Sequence, residues 1–265
     1  MPLWIPLLFC LGTTNQVGQV LMNTDYRPLL AIITGLFEVG VAGWAVLGPG
    51  RRNIVRPTVA LLLLLAGYQF AEVFVCMNTS EIRFARVAFM DIIFLPPTGL
   101  WLLAQLGAQD YPKIRRAAGT TIGLAGLLAT WVWVDPTFVT RSVCEVILAR
   151  YVNPTPLYPI YAAFYMLGLG AMLIGASLGM AHREDPLDRQ NMADIQIGTI
   201  LFVVPGIFFQ ILFPKYIGTS PSMMCHFAAF LGIALWHMLV RERRWALAHS
   251  QANAMRSVTS HLLAR

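Results

Sequence analysis

TVALLLLLAGYQFAEVFVCM, residues 58–77, is a run of twenty residues with one carboxylate, one side-chain amide and no base. At about 1.5 Å of rise per residue, such a helix covers the ~30 Å hydrocarbon core of a bilayer. Gln69, Glu72 and Cys76 are spaced by three and four, so they share one helical face. Polar groups at that depth are costly unless they face a polar interior. This stretch therefore predicts a membrane-spanning helix with a working face.

Outward from it, further apolar windows occur at 2–22, 29–48, 87–107, 117–134, 157–181, 195–213 and 223–241. The predicted fold is all-α, a polytopic transmembrane bundle of about eight spanning helices, or seven if the first does not span. Continuous rather than alternating apolarity favours helices over a barrel. Residues 1–241 read as one transmembrane domain and 242–265 as a short cytoplasmic tail. Composition agrees: 57% of the residues are hydrophobic and 12% charged, with a mean hydropathy of +0.63, against roughly 25% charged in soluble domains. The first window has no basic segment before it and no small-residue cleavage site after it. It reads as a retained helix rather than a removed signal.

The net charge of +6 is spread in short clusters beside span ends, without a basic aromatic stripe, which argues against nucleic acid. Connections 49–57, 108–116 and 182–194, with the tail from Arg241 onward, hold 13 Lys and Arg; the alternate connections hold 6. The positive-inside rule then places both termini in the cytoplasm of a plasma-membrane protein. Trp131 and Trp133 at one end, and Trp4, Trp44, Trp101, Trp236 and Trp245 near the other, fit interfacial belts.

With that orientation, polar residues gather in the outer half of the bundle. The predicted ligand-binding set is Asn15, Gln16, Gln19, Glu38, Gln69, Glu72, Asp91, Gln210 and His226, with Glu38 nearer mid-membrane. Asp91 has an alternative reading, as a headgroup-level partner of Arg86 or Arg83. Cys76, Cys144 and Cys225 would all lie on the oxidising side, where a disulfide among them is expected. Pro96-Pro97 and Pro205-Gly206 should bend their helices. Leu247, Gln251, Met255, Val258 and Leu262 recur at helical spacing, which predicts an amphipathic tail able to lie on the bilayer or dock on a protein partner.

Several chemistries lack their residues. The lysines, Lys113 and Lys215, lie at span ends, away from any retinal site, and His226 and His237 share one helix, so facing haem ligands are missing. Cys76, Cys144, Cys225, His226 and Glu72 lack the usual metal-site spacings. No GxSxG or phosphate-loop pattern occurs, so no cofactor or catalytic residue is assigned.

The stretch GYQFAEVFVCMNTSEIRFARVAFMDIIFLPPTGLWLLAQL, residues 67–106, resembles the multi-helix N-terminal membrane sensor region of bacterial histidine kinases. It is also similar to uncharacterised bacterial multi-span proteins, as is the ending PSMMCHFAAFLGIALWHMLVRER, residues 221–243. The first resemblance implies a sensory input domain, with Gln69 and Glu72 on the matching helix. No kinase core follows, so output would pass to a separate protein through the tail. The expected function is a sensor-like membrane protein that binds a small-molecule ligand in an outer polar pocket. Two alternatives are a small permease or proton-coupled transporter using Glu38 and Glu72, and an accessory subunit of a membrane complex.

Overall fold

The computed structural model describes residues 28–78, 81–107, 112–144, 148–212 and 220–263. Eight helices and one hairpin follow in order: α1 (Leu29–Leu47), α2 (Arg52–Met77), α3 (Ile82–Ile92), α4 (Leu95–Leu106), α5 (Pro112–Val134), β1 (Arg141–Cys144), β2 (Ala149–Val152), α6 (Tyr158–His182), α7 (Pro186–Leu212) and α8 (Ser220–Leu263). Taking α3 and α4 as one crossing, seven helical segments are long and apolar enough to span a membrane. The predicted first window, 2–22, lies outside the described residues.

α2 is the axis of the bundle, packed against α1, α3, α4, α8 and the hairpin. Its Leu61, Leu62, Leu65 and Tyr68 are buried with Phe89 of α3, Leu102 of α4, Leu169 of α6 and Leu231 and Leu235 of α8. The outward faces are apolar as well: Leu47, Leu127, Leu167 and Ile211 are each more than two-thirds exposed. A perimeter of that character lies far beyond what a water-soluble monomer exposes and is what hydrocarbon would cover.

Beyond α2 and α5, which begin six and five residues ahead of their windows, three boundaries differ from expectation. The window at 87–107 is two helices, broken at Ile93–Phe94, because Pro96 and Pro97 occupy the first turn of α4, where missing N–H groups cost nothing. Pro205 remains inside an unbroken α7. The predicted connection 182–194 shrinks to three residues, since α7 already begins at Pro186, and the predicted separate tail is the continuation of α8. No Gly or Pro follows Gly232 in that helix, so nothing in its sequence stops it.

The connection after α5 forms an antiparallel hairpin pairing Arg141 with Val152 and Cys144 with Ala149. Val143, Tyr151 and Val152 suit a pleated surface. Asp135 fixes the entry by accepting hydrogen bonds from the Thr137 amide (2.8 Å) and hydroxyl (2.6 Å) and from the Thr155 hydroxyl (2.9 Å). Phe89 anchors the hairpin end, edge-on to Phe138, Tyr151, Tyr158 and Tyr161. The Tyr161 hydroxyl donates to the Phe89 carbonyl at 2.6 Å.

Candidate functional site

The spacing of three between Gln69 and Glu72 turns both toward α8. They are 2% and 0% exposed, so neither meets lipid. Gln69 Nε2 donates to the Cys225 carbonyl at 2.6 Å, and the Ser222 hydroxyl donates to Glu72 Oε1 at 2.9 Å. Ser222 Oγ in turn accepts from the Ala149 amide of β2 at 2.9 Å. His226 Nδ1 donates to the Ser222 carbonyl at 2.7 Å, one turn back along α8. One chain of contacts thus runs from α2 through α8 to the hairpin. Cys76 and Cys144 add a disulfide between α2 and β1, while Cys225 is a buried free thiol. That bond also removes two of the five groups considered for a metal, and no cluster of three or more ligating side chains occurs among the described residues.

The other predicted site residues lie elsewhere. Glu38, on α1, is wholly buried against Gly232 of α8, and neither carboxylate oxygen has a hydrogen-bond partner among the described residues. Asp91 sits on the opposite side of α2, where Gly67 makes room for it: a Cβ there would stand 2.8 Å from Asp91 Oδ1. The Oδ2 atom of Asp91 is buried and has no hydrogen-bond partner among the described residues. The alternative pairing of Asp91 with Arg86 or Arg83 is not formed. Arg86 donates to the Trp133 and Pro136 carbonyls, and Arg83 pairs with Glu81. Gln210 is half-buried on α7. Asn15, Gln16 and Gln19 lie outside the described residues.

Sequence reasoning missed a second polar cluster at the other end of the bundle. Arg51, in the turn between α1 and α2, donates to Asp188 at 2.7 Å and, through Nε, to Glu242 at 2.9 Å. Asn191 Nδ2 donates to Glu242 Oε1 at 2.7 Å, and Glu242 and Asn191 are fully buried. Beside them, Arg241 and His237 of α8 pair with Asp194. Arg51 also lies over the Trp245 ring, 5.3 Å from its centroid. Burial opposes the charge on Arg51, but the hydrogen bond to Glu242, and then the pairing with Asp188, outweigh it and hold the guanidinium proton more tightly than usual. The signal was present: Asp188, Asn191 and Asp194 repeat at intervals of three on one face of α7. Residues 182–194 read as a connection, however, so no helical face was drawn there.

α8 therefore carries three acid stations on its neighbours or itself: Glu72 at Ser222, Glu38 at Gly232, and Glu242. Each lies ten residues, or about 15 Å, from the next. The outer two stations together span about 30 Å, the thickness of a hydrocarbon core. No protein-family model matches the chain, and no curated protein matches it.

Proposed function

We propose that this chain is a multi-pass plasma-membrane protein with both termini cytoplasmic, acting as a sensor-like receptor whose output is the C-terminal extension of α8. The carrying observation is that one uninterrupted helix joins the Glu72–Ser222–Ala149 contacts to the tail. A small molecule that changes those contacts favours one packing of α8 over another, and only such differential binding moves an equilibrium. The hairpin, tethered by the Cys76–Cys144 disulfide, faces outward in this reading. The tail presents Leu247 and Met255, both exposed, to a protein partner or to the bilayer surface.

The test perturbs one end and reads the other. A nitroxide on Ser250→Cys, with Cys10 and Cys225 replaced by Ala, should change its distance distribution to a second label near Arg52 when Glu72→Ala or Ser222→Ala is introduced. An identical distribution in both variants would show that the hairpin end and the tail are uncoupled. The proton-coupled carrier reading is favoured by one observation, the buried Glu38 with neither oxygen hydrogen-bonded among the described residues. Proteoliposome uptake whose pH dependence disappears in Glu38→Gln would establish that reading in place of the sensor.

A further inference from the structure

A groove of about 500 Å³ opens on the side of α2 away from the polar contacts with α8, lined by Leu64, Val87, Met90, Asp91, Phe94 and Trp133. Val87 and Trp133 are nearly half exposed, so its mouth lies on the apolar perimeter. Five of the six walls are apolar or aromatic. The sixth is Asp91, given room by the missing side chain of Gly67, with Oδ2 buried and without a hydrogen-bond partner among the described residues. Arg86, five residues before Asp91 along α3, is already engaged by two backbone carbonyls.

We infer that this groove binds a single-chain amphiphile with an ammonium head, entering sideways from the membrane, its head on Asp91 and its alkyl chain along Leu64, Met90 and Phe94. Two features select that chemistry. A carboxylate among apolar walls is costly until a counter-charge or donor meets it. The volume is that of a small-molecule site and too small for a two-chain phospholipid. The inference rests on the bilayer placement proposed above, and not on any signalling role.

Trp133 supplies the readout. The protein is placed in phosphatidylcholine nanodiscs and titrated with 11-bromoundecylamine, 11-bromoundecanol and 11-bromoundecanoate, whose bromine quenches nearby indole emission. The amine should quench saturably, with a half-saturation at least tenfold below those of the alcohol and the acid, and the saturable part should vanish in Trp133→Phe. Asp91→Asn should bring the amine to the level of the alcohol. Leu64→Phe, which keeps the carboxylate and fills the groove, should weaken the amine by a similar factor.

Equal quenching by amine and alcohol, or an amine half-saturation unchanged in Asp91→Asn, overturns the site. So does saturable quenching that is absent from the full chain and appears only when residues 1–27 are deleted, because the full chain then does not admit the amphiphile. Competition from phosphatidylethanolamine in mixed nanodiscs would overturn the single-chain assignment; unchanged half-saturation is expected. A brominated phosphatidylcholine control separates the two layers of the argument. If it fails to quench the total tryptophan emission, the bilayer placement fails. If it quenches while the amine shows no preference, only the groove fails.

Discussion

At the scale of single residues, the two polar clusters differ in what removal of one member leaves behind. Arg51→Ala strips Glu242 of its counter-charge while Glu242 stays fully buried. Deleting one partner of a buried pair typically costs about 3–5 kcal/mol. The expected outcome is a large drop in thermal midpoint, partly recovered in Arg51→Met combined with Glu242→Gln, where the amide keeps a polar partner for Asn191. Asp135 gives a pH signature instead. Hydrogen bonds from the Thr137 hydroxyl and amide, opposed by slight burial and aided by Thr155, hold its carboxyl below the usual range. A depressed folded value means stabilisation that is present above the unfolded value, near ~3.9, and lost as pH falls through the folded one. The midpoint difference between wild type and Asp135→Asn should therefore be constant from pH 7 to 5 and shrink below about pH 4. Gln69 and Glu72 were legible in sequence because a polar group in an apolar run stands out. Asp188 and Asn191 were not, because polar residues beside a span end look like any connection.

At the scale of elements, helix contacts depend on small residues that hydropathy does not weigh. Gly198 of α7 approaches α8 so closely that a Cβ would stand 2.7 Å from Ala234 Cβ and 3.4 Å from the Leu231 backbone. Gly198→Val should force α7 and α8 apart and cost about 1–3 kcal/mol. Gly123→Ala on α5, which meets nothing within 4 Å, should be neutral or slightly stabilising through helix propensity. Thermal unfolding of the two variants side by side checks both signs. Window length predicted α1 and α6 to within a residue at each end, and the last residues of α2 and α5, while these two begin six and five residues earlier, through basic turns that an apolar window excludes. It failed for α7 and α8, whose amphipathic ends continue the helix past the apolar limit. The hairpin was invisible because two four-residue strands give too short an alternation to read against a polar background.

At the scale of the molecule, an apolar perimeter, seven spanning-length helices and charge asymmetry make one orientation testable. With Cys10 and Cys225 replaced by Ala, an impermeant maleimide should label Thr140→Cys on intact cells and reach Ser250→Cys only after lysis; the reverse pattern would invert the orientation. The length of α8 has a mechanical consequence under that orientation. The ion pairs at Glu242 grip the helix almost midway, with 20 residues back to Ser222 and 21 forward to Leu263. Each arm is thus about 30 Å long. On the proposed reading of α8 as the output, a rod held there would work as a balanced see-saw: one ångström of sideways travel beside the hairpin would return about one ångström in the opposite direction at the far tip.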